Sequence, residues 1–234
     1  MATDTAARRG LLDRFFVRGS VADVAEITPR MRQIRLAVAA GVSWIPGQQI
    51  RVRVRGGLRT YSIWSGSGGE LELCVLDHGD GPGTQWARGL RAGDEVQFRK
   101  PEGRFVVVPS AEYHLFAGEE TASVAFGPML GALPSSASVY GAIEVADETD
   151  RLPLPRSAEL TWQYRGPGVS AASSAGLVEA VRVLDLPDLP GVAYLAGEAR
   201  TCQAIRAHLV QERGWPRRSV LVKPFWTPGK RGME

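Results

Sequence analysis

Hydrophobic residues recur at every second position in several short stretches of the first half of the chain. The pattern is clearest at Ile50, Val52 and Val54, which alternate with three arginines. Successive side chains of a β-strand point to opposite faces, so this pattern predicts strands with one buried and one solvated face. Short strands with glycine-rich turns and no long helix indicate a small closed antiparallel barrel. Further strands are predicted at 21–27, 34–38, 59–64, 71–75, 96–98 and 105–108.

The pattern changes at Glu112. Short apolar strands now alternate with segments compatible with helix, which predicts a parallel sheet covered on both faces. Such a sheet binds ligands in a crevice at the carboxyl ends of its strands, and Gly118 and Gly197 lie at two of these ends. Strands are predicted at 114–117, 139–145, 160–164, 192–196 and 220–226, and helices at 122–133, 174–184 and 197–213.

The sequence therefore predicts a two-domain fold, an antiparallel β-barrel followed by an α/β domain with a parallel sheet. Residues 1–16 are small, polar and basic and are expected to be a lead-in. The barrel domain is assigned to residues 17–109 and the α/β domain to residues 110–234, because residues 109–111 form the clearest seam between the two patterns.

Composition narrows the class of protein. Among the 234 residues, 44% are hydrophobic and 23% charged, as in ordinary globular proteins. A net charge of +3 permits an anionic ligand but does not call for nucleic acid. Cys74 and Cys202 have no metal-ligand spacing, so we expect no metal site and a reducing cytoplasmic location. The charge-free run 121–143 contains two prolines and is expected not to span a membrane.

The stretch Arg59-Thr60-Tyr61-Ser62-Ile63-Trp64 carries candidate binding chemistry. Alternate positions of a strand share a face, and we expect an arginine, an aromatic ring and a hydroxyl to be presented together. Such a set suits a ligand with a phosphate, a ring system and polar ring edges. An ordinary half-buried strand explains these six residues equally well.

A glycine-rich loop follows at residues 77–87 and leads into a short helix-compatible piece. Glycines let the backbone approach a ligand closely, and the free amides at a helix start attract phosphate. The loop lacks the Gly-Lys-Ser/Thr ending of a Walker loop, and the chain has no G-x-G-x-x-G motif. A loop that merely turns a corner remains the alternative.

Several motifs in order give the chain a family resemblance. They are R-x-Y-S after a P-G-Q strand, H-G-D-G-P-G-x-x-W-A, G-E-E-T-A, I-E-V-A-D before Leu-Pro-Leu-Pro, A-G-E-A before a helix, and Phe225-Trp226 near the end. Together they resemble the siderophore-interacting protein family, which has the ferredoxin-reductase type of FAD-binding barrel. The resemblance implies an FAD-binding, NADH- or NADPH-dependent reductase that releases iron from ferric siderophores in the cytoplasm.

The resemblance also implies roles for individual residues. Arg59 would bind the flavin diphosphate, Tyr61 and Ser62 would line the ring and ribityl chain, and Trp226 would pack near the flavin. Plain core packing is the alternative for Trp86 and Trp226. The cofactor-binding residues implied by the resemblance are Arg59, Thr60, Tyr61, Ser62, Ile63, Trp64, Asp77, His78, Gly79, Gly83, Thr84, Gln85, Trp86, Glu120, Thr121, Gly197, Glu198, Ala199 and Trp226.

Two positions depart from the family pattern. Trp64 and Gln85 stand where family members commonly carry an arginine, and both changes remove positive charge that would meet phosphate. The acidic pair Glu119-Glu120 at a helix start disfavours phosphate there, which leaves the choice between NADH and NADPH open.

The expected mechanism needs no catalytic side chain, because the flavin performs the hydride and electron transfer. A basic rim would attract an anionic ferric siderophore, and its candidates are Lys223, Lys230, Arg231 and Arg217. A flavoprotein of secondary metabolism that passes electrons to another acceptor is the alternative function, and a non-enzymatic binding module is a third. We expect a monomer without a nucleic-acid or membrane partner.

Overall fold

The computed structural model describes residues 16–39 and 41–230. The predicted lead-in over residues 1–16 therefore lies, apart from Phe16, outside the described residues. Within the described part of the chain, no helix combines the length and the apolar character needed to cross a lipid bilayer.

Six antiparallel strands close into a barrel in the order β1-β2-β5-β4-β3-β6. They are β1 (Val17–Thr28), β2 (Met31–Val38), β3 (Gln49–Val54), β4 (Gly57–Ser65), β5 (Glu70–Leu76) and β6 (Glu95–Phe98). The alternating hydrophobic residues face the interior, where Ile34, Leu36, Ile50, Val52 and Ile63 are fully buried. Helix α1 (Pro82–Gly89) follows β5 and packs Ala87 into the same core. The predicted closed barrel is confirmed.

The strand predicted at 105–108 is wrong. This segment forms no ladder, and only a single bridge between Gln49 and Glu102 precedes it. It runs instead towards the second sheet, where the ring of Phe105 lies 6.1 Å from that of Tyr194. The Tyr194 hydroxyl accepts the Val108 N–H at 2.9 Å, so a side chain satisfies a backbone donor that a neighbouring strand would otherwise bind.

Five parallel strands form the second sheet in the order β11-β10-β7-β8-β9. They are β7 (Tyr113–Glu119), β8 (Ser138–Val145), β9 (Thr161–Tyr164), β10 (Val192–Glu198) and β11 (Val220–Trp226), with helices α2 (Glu120–Gly131), α3 (Ala175–Arg182) and α4 (Ala199–Ala207). One apolar cluster contains residues of α2, and a second contains residues of α3 and α4. The predicted α/β half with a parallel sheet is confirmed.

The helix predicted at 197–213 begins two residues later than expected and changes its geometry before its end. Gly197 and Glu198 belong to β10, and Glu198 caps the first turn of α4 by accepting the Thr201 N–H at 2.9 Å. After Ala207 the helix widens into a π-type turn over His208–Glu212. Strand β10 therefore ends at Glu198, whose carboxylate is buried.

Two contacts hold the barrel against the parallel sheet. Arg30, in the turn between β1 and β2, donates to Asp150 at 3.0 Å and to Glu120 at 2.8 Å. The Trp64 ring of β4 packs on α2 at Gly127, where a Cβ would lie 2.4 Å from the indole. Beside these contacts, a cleft lies between β4 and the carboxyl edge of the second sheet.

Candidate functional site

A cleft of about 580 Å³ lies between the barrel and the α/β domain. This size is within the range of roughly 300–1,000 Å³ typical of small-molecule and cofactor sites. Its walls come from β3, β4 and β5 of the barrel, from the start of α2 and from β11. The lining residues that the sequence predicted are Arg59, Thr60, Tyr61, Ser62, His78, Thr121, Lys223 and Trp226.

The expectation that the arginine, the aromatic ring and a hydroxyl share one face is wrong for the hydroxyls, whereas Arg59 and Tyr61 do share a face. The ladder places Thr60 opposite Arg51 and Ser62 opposite Gln49, whereas Tyr61 is opposite Ile50, a barrel-core residue. The hydroxyls of Thr60 and Ser62 therefore point to one face of β4 and the ring of Tyr61 points to the other, because successive side chains of a strand alternate. Both sets nevertheless line the cleft, so it follows both faces of β4.

Arg59 brings a positive charge to the cleft without a carboxylate partner among the described residues. Its Nη1 donates to the backbone carbonyl of Leu58 at 2.7 Å. The side chain is half-buried, so it has already lost part of its hydration. A partly desolvated guanidinium is suited to form bidentate hydrogen bonds with an anionic ligand group.

Tyr61 places a hydroxyl in the cleft wall that no other described residue satisfies. Its ring stacks on Trp86 at a centroid distance of 5.3 Å and an interplanar angle of 26°. The hydroxyl oxygen is buried without a hydrogen-bond partner, and burial raises the pKa of the phenol above its ordinary value. A Cβ at Gly83 would lie 2.7 Å from this oxygen, so only glycine at 83 permits the approach.

The loop 77–86 is built mainly by contacts within itself. Arg88 binds Asp77 at 2.9 Å, and this hydrogen bond lowers the pKa of the Asp77 carboxyl. The Thr84 hydroxyl donates to the His78 carbonyl at 3.0 Å, and the Gln85 side-chain amide donates to the backbone carbonyl of Asp80 at 3.1 Å. Gly79 has a φ of +58°, Trp86 lies behind Tyr61, and of the loop only His78 lines the cleft.

Two residues of the β4 stretch point away from the cleft. The side chain of Ile63 is fully buried in the barrel interior, and Trp64 packs on α2. Neither contributes to the cleft lining. The departure at Trp64 from the family pattern therefore replaces a charged residue by one that joins the two domains.

At the start of α2, Thr121 lines the cleft and Glu120 does not. Glu120 is 3% exposed and is bound by Arg165 at 2.5 Å and by Arg30 at 2.8 Å. Despite the cost of burial, these two cations lower the pKa of the Glu120 carboxyl. The buried Glu120 thus forms two ion pairs. One joins α2 to the barrel through Arg30, and the other joins α2 to Arg165, the residue that follows β9.

Gly197, Glu198 and Ala199 form the carboxyl end of β10 and the first residue of α4. Glu198 is buried and accepts the backbone N–H groups of Ser173 at 3.0 Å and Thr201 at 2.9 Å. These hydrogen bonds lower the pKa of Glu198, although its burial acts in the opposite direction. None of the three residues lines the cleft, but the neighbouring strand β11 brings Trp226 into it.

Sequence reasoning missed Gln49 and Arg51, which line the cleft from β3. Arg51 was assigned to a solvated arginine row, yet it lies opposite Thr60 in the hairpin and its Nε is 2.6 Å from Glu102 Oε1. Pairing the two predicted strands across the turn at Gly56-Gly57 would have placed it beside the candidate stretch. Of the predicted basic rim, Lys223 lines the cleft, Arg217 and Lys230 are exposed elsewhere, and Arg231 lies outside the described residues.

Burial also shifts the pKa values of two further groups in the cleft wall, Lys223 and Cys74. Desolvation, reinforced by the nearby Arg51, lowers the pKa of Lys223. Desolvation raises the pKa of the Cys74 thiol, which lies on β5 and is 5% exposed. Across residues 16–39 and 41–230, no three His, Cys, Asp or Glu side chains are grouped so as to hold a metal ion.

Comparison with known proteins agrees with this architecture. Residues 41–105 match the family model described as "Siderophore-interacting FAD-binding domain", and residues 111–229 match the model described as "Siderophore-interacting protein". A siderophore utilization protein from T. fusca superposes with a TM-score of 0.78 over 94% of this chain and 95% of its own, at 25% identity. Ferredoxin-NADP+ reductase from Plasmodium falciparum shares the fold, with a TM-score of 0.73 over 90% of this chain and 96% of its own, at 13% identity.

Curated relatives show similarity at the sequence level as well. The ferric vibriobactin reductase ViuB of Vibrio cholerae is 29% identical over 181 residues, which are 74% of this chain. The chain spans 65% of the length of ViuB and 61% of the length of a curated protein of Mycobacterium tuberculosis that is 32% identical over 174 residues. Since the two family models together cover most of the sequence, in the order in which the two domains occur, the chain belongs to the siderophore-interacting protein family.

Proposed function

We propose that the chain is an FAD-dependent oxidoreductase that uses NADH or NADPH to reduce ferric siderophores and so release iron. The observation that carries this proposal is a cleft whose wall contains Arg59 and Tyr61. Among residues 16–39 and 41–230, Arg59 has no acidic partner and the buried Tyr61 hydroxyl has no hydrogen-bond partner. An unsatisfied buried hydroxyl is rare in folded proteins, and one that lies beside an arginine without an acidic partner among the described residues supports a ligand in this cleft.

The residues present suit FAD. Arg59 supplies a cation for a phosphate, and the Tyr61 hydroxyl supplies a hydrogen bond beside a stacked aromatic pair. Helix α1 begins at Pro82 after Gly81, and no side chain in the described part of the chain caps its first free N–H groups. Backbone donors at such a position favour a phosphate. The loss of the family arginines at Trp64 and Gln85 leaves Arg59 as the main cation expected to meet the diphosphate.

When bound, FAD supplies the redox chemistry, since it accepts a hydride and releases its two electrons singly. The protein residues position the reactants. The carboxyl ends of β7 and β10 lie beside Trp226 and form the edge at which α/β sheets bind nucleotides. One hydride from NADH or NADPH carries two electrons, which reduce two ferric ions to ferrous ions with the release of one proton.

Lys223, together with Arg51, whose charge is partly neutralised by Glu102, supports an anionic electron acceptor. Both line the cleft, and their mutual repulsion contributes to the lowered pKa of Lys223. Ferric siderophores that carry negative charge would be attracted to this part of the wall, and their approach would depend on ionic strength. Electron transfer to a chelated ion requires approach rather than a nucleophile, in line with a cleft built from binding residues.

The test begins with the purified protein and FAD. We expect a yellow protein whose flavin absorbance bleaches anaerobically with NADH or NADPH and returns on addition of a ferric tris-catecholate or tris-hydroxamate complex. A ferrous chelator should trap the product in the ratio of two ferrous ions per nucleotide oxidised.

Arg51→Ala with Lys223→Ala is expected to slow reoxidation by an anionic ferric complex while leaving the FAD content unchanged. Removing a distant exposed cation, as in Arg217→Ala, serves as the matched control. A protein that takes up no FAD would refute the proposal. A protein that bleaches but ignores every ferric complex would refute the siderophore substrate and identify another electron acceptor as the target of the flavin.

A further inference from the structure

Glu119 is a buried carboxylate at the carboxyl end of β7, the central strand of the parallel sheet. It is 2% exposed, and a buried carboxylate is costly unless hydrogen bonds compensate for its lost hydration. It accepts the Thr121 N–H on Oε2 at 2.8 Å and the Thr121 hydroxyl on Oε1. The same Oε1 accepts the indole Nε1–H of Trp226 at 2.9 Å.

Capping α2 does not require a glutamate. The first helical N–H groups are commonly satisfied by serine, threonine, aspartate or asparagine, whose side chains are shorter. The longer side chain reaches Trp226 on β11, which is separated from β7 by β10. The hydrogen bond to the indole therefore joins two strands that do not pair with each other.

The intervening strand leaves room for this contact at a single glycine. Gly197 of β10 has a φ of +108°, and a Cβ there would lie 2.6 Å from Glu119 Oε1. Any side chain at 197 would displace the carboxylate from its path to Trp226. The residue after Trp226 is held in a similar way, because the Thr227 hydroxyl donates to Glu198 Oε1 at 3.3 Å.

Four charged or titratable groups surround Glu119 besides its hydrogen-bond donors. Glu120 on α2 opposes its negative charge, and Arg165 after β9 interacts favourably with it. Glu198 at the end of β10 and the Cys202 thiol on α4 lie on the remaining side. Burial, followed by the charge of Glu120, raises the pKa of Glu119 to about 7.

We propose that Glu119 is a positioning residue for the cleft: its carboxylate fixes the Trp226 indole as the wall against which the bound cofactor packs. Its effect on FAD rests on the proposed function, whereas its effect on the indole does not. Because a wall that is ordered beforehand does not have to be ordered on binding, loss of the hydrogen bond is expected to weaken FAD binding about two- to tenfold.

The first test follows the indole N–H signals of ¹⁵N-tryptophan-labelled protein without FAD between pH 5 and 9. The chain has six tryptophans, and the missing peak in Trp226→Phe assigns the relevant signal. In the unaltered protein this signal is expected to titrate near pH 7 with Glu119. In Glu119→Gln the titration should disappear, because the amide does not ionise, and exchange of this N–H with solvent should become faster, because a charge-assisted hydrogen bond is replaced by a weaker neutral one. Thr121→Val removes one donor to the same oxygen and leaves the indole bond in place, so its signal should still titrate.

The second test measures FAD dissociation constants for Glu119→Gln, Trp226→Phe and the double variant. If Glu119 acts through the indole, the double variant should bind FAD no more weakly than the weaker single variant. An indole signal that does not titrate and is unchanged in Glu119→Gln overturns the positioning role, whether or not FAD binds. An altered indole with no FAD binding in any variant refutes the proposed function alone. If Glu119→Gln does not fold, the pH titration of the unaltered protein and its assignment by Trp226→Phe still decide the proposal.

Discussion

Replacing Tyr61 by phenylalanine is expected to make the FAD-free protein more stable and FAD binding weaker. The substitution removes one hydroxyl oxygen that is buried without a partner and leaves the stack on Trp86 intact. An unpaired buried hydroxyl costs about 1–3 kcal/mol, and the small void left by the oxygen offsets part of the gain. We therefore expect the free energy of unfolding to rise by about 1 kcal/mol, which corresponds to about 2–4 °C in Tm.

Tyr194→Phe provides the matched control, because the same atom is removed from a hydroxyl that has partners. The Tyr194 hydroxyl accepts the Val108 N–H at 2.9 Å and lies 3.3 Å from His114 Nδ1. Its loss leaves a buried backbone donor unsatisfied and should lower the free energy of unfolding by about 1–3 kcal/mol. The two variants thus differ in the sign of the effect, although the chemical change is identical.

Urea unfolding without FAD measures the first effect, and titration with FAD measures the second. Loss of one hydrogen bond to the cofactor in Tyr61→Phe should weaken binding by about 0.5–1.5 kcal/mol. Equal destabilisation by Tyr61→Phe and Tyr194→Phe would refute the reasoning, since it would mean that the Tyr61 hydroxyl is already satisfied before any ligand binds.

Three further substitutions test other parts of the argument. Arg59→Ala is expected to weaken FAD binding by about 1.5–3 kcal/mol through one lost charge-assisted contact, measured by calorimetry against the exposed Arg55→Ala. Arg165→Ala leaves a buried carboxylate short of a cation and should destabilise the fold by about 3 kcal/mol in urea, whereas Arg182→Ala breaks an exposed pair and should cost less than about 1 kcal/mol. The pKa of Glu119 is raised in the folded state from 4.5 to about 7, so its protonated form stabilises the fold below pH 4.5 and this contribution is lost as pH rises to 7. In Glu119→Gln the fall in stability across this window should therefore be smaller by roughly 3 kcal/mol, and an unchanged pH dependence would contradict the shift.

The architecture was predictable because local patterns determine it. Alternation at Ile50, Val52 and Val54 identifies a strand with one buried face, and the buried runs around Leu115 and Leu195 identify strands covered on both faces. The segment 105–108 has the composition of a strand but pairs with none of the strands that the structure describes. Its hydrogen bond to Tyr194 depends on a residue 86 positions away, which no local pattern reveals.

The site was only partly predictable for the same reason. Arg59, Tyr61 and Trp226 were identified through the family resemblance, and the cleft contains all three. The partners of charged residues depend on how the two domains meet, so Glu120 was expected at the cofactor and lies instead in an ion pair with Arg165 and Arg30. Only the three-dimensional arrangement distinguishes an ion pair within the protein from a charge available to a ligand.

Cys74 has a consequence for iron handling under the proposed function. The thiolate, rather than the thiol, binds metals and is readily oxidised, and burial keeps this side chain in the thiol form. If the cleft carries electrons to iron as proposed, this cysteine would lie in its wall without offering the ferrous product a soft ligand. Newly reduced iron would leave the protein freely, and the wall would resist inactivation through many rounds of turnover.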